Sequence, residues 1–262
     1  MSNSRQPDDG VAVRSFGVTF PDARAIAPHH RIPPPARHWH QLIYAIRGAV
    51  TVRTPHCAWL APPHRGVWIP AGFEYRLEMS GVVALRSLYI IARPRVGKLF
   101  AHADDTCCVV NVSPLLRELI LRCIQLGALD ATVPNQRRLI GVMFDELQEL
   151  TAIPLQLPLP QDERAAHFAE LVAADPAGKL QVPRMLRRCA ASRRTMERLF
   201  HEETAMSLGQ WIRRQKLLHA LRRLAAGDSV NAIALELGYN SPSAFIAMFK
   251  RELGTTPKRY FE

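Results

Sequence analysis

The stretch S-V-N-A-I-A-L-E-L-G-Y-N-S-P-S-A-F-I-A-M-F-K-R-E-L-G occupies residues 229–254. Its first ten residues have helical composition and end at Gly238, a residue that takes positive φ without steric cost. Tyr239-Asn240 turn the chain, and Ser241 caps a second helix with Pro242 at the first helical position. Phe245 and Phe249, four residues apart, give that helix a core face. A short helix, a tight turn and a capped second helix form the helix-turn-helix plan.

A similar plan lies upstream. V-P-R-M-L-R-R-C-A at 182–190 reads as a short helix, and Ala190-Ala191 as its turn. Ser192 caps a helix on which Met196, Leu199 and Phe200 face inward while Arg194, Glu197, Arg198 and His201 face outward. Between the two patterns, W-I-R-R-Q-K-L-L-H-A-L-R-R-L-A-A-G at 211–227 is a continuous helix with a leucine stripe. Either pattern alone is weak. Two of them joined by one long helix are far more specific.

The chain of 262 residues carries a formal charge of +11. That balance points to a polyanionic partner, nucleic acid first and a membrane surface second. The segment from Lys179 to Arg223 is dense in basic residues and is opposed only by Glu197, Glu202 and Glu203. No apolar run is long enough to span a bilayer and the first ten residues have no signal core, which places the chain in the cytoplasm. The five cysteines are odd in number and lack a C-x-x-C spacing, so they suggest neither a disulfide framework nor a zinc finger. Adjacent Cys107 and Cys108 are either oxidant sensors or, the plainer reading, idle thiols in a reducing compartment.

Further toward the N-terminus the periodicity changes. Residues 1–37 read as a mobile polar arm. Runs at 42–47, 49–53, 66–70 and 84–91 have strand character, with Gly48, Pro55, Pro62-Pro63, Ala71-Gly72 and Gly81 as turns. This regular spacing suggests an antiparallel sandwich or small barrel over residues 38–95. Amphipathic helices at 113–126 and 136–150 dominate a region spanning 96–152, and alternate prolines make 153–162 an extended linker. The expected fold class is therefore α+β in two domains, with an all-α domain over 163–262.

The C-terminal pattern A-x-x-L-G-Y-x-S-x-S-x-F-x-x-x-F-K-R-x-x-G-x-x-P-x-x-Y resembles the AraC/XylS family of transcription regulators over about residues 165–262. The resemblance implies two recognition helices in successive major grooves of double-stranded DNA. It places Arg194, Glu197 and Arg198 on the base-reading face of the first helix, with Arg193, Thr195 and His201 toward phosphates. The chemistry agrees: arginine suits guanine O6 and N7, and glutamate accepts from cytosine N4. On the second helix the outward positions are Pro242, Ser243, Ile246 and Ala247, with Ser241, Lys250 and Arg251 facing the backbone. One departure shows: relatives often carry Gly where this chain has Ala190.

H-W-H-Q-L-I-Y-A-I-R-G at 38–48 and G-V-W-I-P-A-G-F-E-Y at 66–75 resemble the two motifs of cupins, a barrel that many AraC-type regulators use as an effector domain. A metal cupin would use His38 and His40, yet Gln41, Tyr44 and Tyr75 stand where further ligands belong. Three readings of the histidines follow: metal ligands, lining of a small-molecule pocket together with Tyr44, Trp68 and Tyr75, or plain structure. The pocket is preferred, with no cofactor. The resemblance further implies a homodimer built on the two amphipathic helices, and RNA polymerase as a further partner. A cupin metalloenzyme with an appended basic module is the competing function; no catalytic motif supports it.

Overall fold

The structure is a computed structural model that describes residues 11–21, 39–91 and 106–261. His38, most of the arm and residues 92–105 lie outside the described residues. The chain divides into two compact units, residues 1–52 with 59–155, and residues 53–58 with 156–262. The architecture is α+β, with an antiparallel sheet in the first unit and helices in the second.

The strands of the first unit are β1 (Val11–Phe20), β2 (Trp39–Arg53), β3 (Cys57–Ala61), β4 (Arg65–Ile69), β5 (Arg76–Ile91), β6 (Cys108–Asn111), β7 (Ala128–Asp130) and β8 (Ala152–Ile153). Their order is β7-β1-β5-β2-β4-β6-β8, with β3 beside β2. This path is open among the described residues, so of the sandwich or small barrel that the strand spacing suggests, a closed barrel is not formed. Two further expectations change. The expected arm contains β1, which pairs with β5 from Val13↔Ile90 to Phe20↔Val83. Its V-A-V-R-S-F pattern alternates enough for a half-buried strand. Gly48 is a break within one strand rather than a turn between two. At φ 75° it lies so close to β5 that a Cβ would come within 2.6 Å of the Val82 carbonyl.

Two helices cover one face of this sheet. The first, α1 (Pro114–Leu126), has Ser113 accepting from Leu116 N, and the second is α2 (Pro134–Gln148). Leu116, Leu119, Ile120 and Cys123 of α1 and Ile140, Met143 and Leu147 of α2 pack with Val13, Leu42, Tyr44, Trp68, Leu88 and Ile90. Ser15, on the same side as Val13, donates to Cys123 O at 2.7 Å.

The second unit comprises β9 (Gln156–Pro158) and α3 (Glu163–Ala174), α4 (Val182–Arg188), α5 (Arg193–Thr204), α6 (Leu208–Ala225), α7 (Val230–Glu236), α8 (Pro242–Leu253) and α9 (Pro257–Phe261). Trp211 on α6 donates its indole N–H to Pro158 O at 2.7 Å, which ties the extended β9 to the helices. Phe200 stacks edge-on against both Phe168 and Trp211, and Phe245 and Phe249 build a second aromatic cluster with Tyr239 and Tyr260. Each cluster sits under one of the two helix pairs.

The two turns are built alike. After α7, Tyr239 N donates to Ala234 O at 2.9 Å across a left-handed Gly238. After α4, Ala191 N donates to Leu186 O at 3.2 Å across Ala190, whose φ is 47°. This six-to-one closure requires a left-handed residue. Alanine there costs about 1 kcal/mol relative to an unstrained conformation. Ala190→Gly should therefore raise the unfolding free energy of the second unit by up to about 1 kcal/mol, less what glycine adds to the freedom of the unfolded chain. Gly238→Ala should cost more than about 1 kcal/mol, because its Cβ would also collide with the Ala177 carbonyl. Chemical denaturation of the two variants checks both signs.

The cysteines support the plainer reading. Cys107 and Cys108 are both buried. Burial pushes the Cys108 thiol up to about 11 and the Cys123 thiol up to about 12. At pH 8 only about one Cys108 in a thousand would be thiolate, the reactive form. Iodoacetamide at pH 8 should leave both residues unmodified in the native protein and alkylate them in urea, as read by mass spectrometry.

Candidate nucleic-acid interface

The first helix pair presents a charged face. Ser192 caps α5, its hydroxyl accepting from Thr195 N at 3.1 Å, and the Thr195 hydroxyl lies 2.9 Å from the same oxygen. Met196, Leu199, Phe200 and Thr204 are buried, while Arg193, Arg194, Arg198, His201 and Glu202 are exposed. The inward and outward positions agree with the helical spacing of the sequence. The residue after α5, Ala205, is also left-handed, at φ 56°, and its N–H closes on His201 O.

Glu197 behaves differently from its neighbours. Its carboxylate accepts from Leu208 N at 3.1 Å, at the first turn of α6, and lies 3.8 Å from Arg193. The N-terminus of a helix exposes unpaired N–H groups and a partial positive charge, so an anion there is stabilising. Ser207 and Gln210 form a reciprocal capping box on the same turn. Glu197 is thus engaged in fixing α6 against α5. No local pattern announces this contact, because the partner is a backbone amide eleven residues away on another helix.

Arg198 pairs with Glu202 one turn on, at 2.5 Å, with both side chains more than half exposed. Exposed pairs of this kind contribute little, so the guanidinium can exchange this partner for another acceptor at small cost. Arg194 has its side chain exposed one turn before it.

The second helix pair presents a different face. Ser241 caps α8 by accepting from Ala244 N at 3.2 Å. Phe245, Met248 and Phe249 are buried. Ser243, Ala247, Lys250 and Arg251 are exposed and Ile246 is half-buried. The outward surface of the first turns is therefore nearly devoid of hydrogen-bond donors.

Linking the pairs, α6 is fastened to α7 by a polar cluster. His219 Nε2 lies 3.0 Å from Glu236 Oε1, Arg223 donates to the same oxygen at 3.1 Å and to Asp228 at 2.5 Å, and Lys216 Nζ donates to Leu237 O at 3.2 Å. Burial lowers the His219 pKa against the opposing pull of Glu236. These bonds hold the second pair at a fixed place on the connecting helix.

The four described residues among the five expected to line a pocket in the first unit fall into two groups, His40 with Tyr44 and Trp68, and Tyr75 with Gln41. Tyr44 and Trp68 belong to the core shared with α1 and α2. His40 stacks on Trp68 at 5.2 Å and accepts from Ala71 N through Nδ1. Tyr75 instead donates to Gln41, on the neighbouring position of β2. His38 lies outside the described residues. Among the described residues no group of three His, Cys, Asp or Glu side chains assembles that could hold a metal. No helix of the described residues is long and apolar enough to cross a membrane.

Comparison with known proteins supports the same reading. A family described as "Helix-turn-helix domain" matches residues 185–262. The HTH-type transcriptional regulator NimR of Escherichia coli (strain K12) is 37% identical over 220 residues, covering 84% of this chain and 78% of its own. The probable transcription factor PqrA of Proteus vulgaris is 34% identical over 68 residues, 26% of this chain and 56% of its own. Among solved structures, the DNA-binding domain of the global transcriptional factor AdpA in complex with a target DNA is 30% identical, covers 38% of this chain and 91% of its own, and aligns with a TM-score of 0.35. With its paired helix-turn-helix units and a relative matched along most of both chains, the protein belongs to the AraC/XylS family of transcription regulators.

Proposed function

We propose that this DNA-binding regulator reads its operator asymmetrically. The carrying observation is the contrast between two similarly built helix pairs: α5 offers Arg194 and Arg198 in the open, whereas α8 offers Ser243, Ile246 and Ala247. Arginine discriminates guanine through a bidentate pair, and small apolar groups contact only thymine methyls. Sequence selectivity then resides mainly at α5. Around it, Arg193, Thr195 and His201 are suited to the phosphate backbone, as are Ser241, Lys250 and Arg251 around α8.

In this reading the first unit is a cupin-like effector domain that binds a small molecule and shifts the protein between states of unequal DNA affinity. The helices α1 and α2 suit a homodimer: Leu115, Leu126 and Val142 are exposed on them despite their size. The protein works in the cytoplasm, with RNA polymerase as a further partner.

Three substitutions test the assignment of roles. Arg198→Ala should cost about 1–3 kcal/mol on the preferred operator and relax one base position. Lys250→Ala should weaken all sequences alike and flatten the salt dependence by about one unit of log–log slope. Glu197→Ala should cost about 1 kcal/mol of folding stability, as loss of a helix cap does, without altering base preference. Gel-shift titrations on operator variants at several salt concentrations, with denaturation curves, separate the three. Equal loss on every sequence for Arg198→Ala would remove it from base reading.

A further inference from the structure

The face of the sheet opposite α1 and α2 carries a set of buried donors. Pairing fixes which residues share it. Arg14 is opposite Tyr89 and Phe16 is opposite Ser87, so these four side chains lie on the side away from Val13 and Leu88. The Arg14 guanidinium stands 5.8 Å from the centre of the Trp39 ring, which puts Trp39 on the same side. Gln41 follows two residues later on β2 and so shares that side. The strands β5 and β2 are neighbours.

Three of these residues are buried and hold polar atoms that make no hydrogen bond: Trp39 Nε1, Gln41 Nε2 and Ser87 Oγ. Gln41 and Ser87 are 0% exposed and Trp39 is 1% exposed. Buried donors are nearly always satisfied, and each exception calls for a partner. The indole and the amide nitrogen can only donate, and the hydroxyl can do so. Around them the face is apolar: Ile43 and Val67 pair across β2 and β4, Ile69 is opposite Gln41, and Val83 and Leu85 precede Ser87 on β5. Arg14 on β1 and, toward the middle of β2, Arg47 are the charged residues that strand alternation puts on this side, and no carboxylate stands on it between Val83 and Ile90 of β5. Phe16, beside Ser87, is 40% exposed, so the face reaches solvent at that edge. Apolar walls with a few convergent polar groups are the usual make-up of a small-molecule site.

We propose that this face binds a small, largely apolar organic molecule through a carboxylate or carbonyl oxygen, with Trp39, Gln41 and Ser87 as donors to it. The proposal rests on the effector reading of the first unit and moves the ligand to the side opposite His40, Tyr44 and Trp68. Tyr75 has a positioning role. By donating to Gln41 Oε1 it fixes the amide orientation, and that leaves Nε2 directed to the ligand. A donor-only set of this kind selects against amines, which would bring further donors and a positive charge beside Arg14.

The test uses the full chain with ¹⁵N-labelled tryptophan, the Trp39 indole signal being assigned by its loss in Trp39→Phe. Benzoate, benzamide and benzylamine, alike in shape, are titrated in turn, and operator affinity is measured on the same samples. Benzoate or benzamide should move the Trp39 indole N–H saturably downfield, and benzylamine should not. Gln41→Leu and the milder Ser87→Ala should each weaken that binding about tenfold while leaving ligand-free operator affinity within about twofold. The proposal is overturned if neither acceptor moves the indole signal, if benzylamine moves it equally, or if both variants bind as the parent does; ordered water then satisfies the donors. An indole response without any change in operator affinity keeps the site and removes the effector reading. A change in operator affinity without an indole response does the reverse.

Discussion

A single backbone closure governs how the second helix of each pair, α5 and α8, leaves its partner. The amide three residues past the end of α4 or α7 donates back to a carbonyl in that helix's last turn, Ala191 to Leu186 and Tyr239 to Ala234. The closure reverses the chain within a few residues and sets the direction of α5 and α8. It depends on one left-handed residue in each case. Gly238 meets that need freely and also allows the chain to pass against Ala177, whereas Ala190 meets it under strain. The packing of Phe200 on Trp211, and of Phe245 on Tyr239 with Phe249 on Tyr260, then holds each helix where the turn has aimed it. Strain at Ala190 is tolerated because those contacts, together with Glu197 on the α6 amide, over-determine the geometry.

The same logic of satisfied and unsatisfied polar groups organises the first unit. On the helix-covered face, Ser15 finds Cys123 O and Ser113 finds Glu146. On the other face Trp39 Nε1, Gln41 Nε2 and Ser87 Oγ find no hydrogen-bond partner among the described residues. Two faces of one sheet are therefore chemically unequal. One is a core closed by α1 and α2, and the other is a buried surface still able to bond.

Much of the helical unit was legible in the sequence because its signals are local. Ser192, Ser241 and Pro242 announce helix starts, Gly238 announces a stop, and a 3.6-residue period separates Phe245 and Phe249 from Ala247 and Lys250. The same period places Glu197 on the outward face but has no view of the α6 amide that it bonds. The sheet was harder to read. A two-residue period places His40, Tyr44 and Gln41 on alternate sides but cannot say which side is which when β2 is buried on both. That decision comes from α1 and α2, distant in sequence, which took the side of Tyr44 and Trp68. Gly48 looked like a turn because glycine marks turns and breaks within strands alike. The strand over 11–20 was overlooked because the residues before it are polar and because its partner, β5, lies some seventy positions away.

The central claim is that two similarly folded helix pairs carry unequal information: one discriminates bases and the other mainly secures position. It is tested most directly by measuring the affinity of the intact protein for every single-base-pair variant of its operator. Losses of about 1–3 kcal/mol are expected, concentrated at guanine-bearing positions in the groove occupied by α5, with shallow losses in the groove occupied by α8. Equal discrimination in both grooves would contradict it.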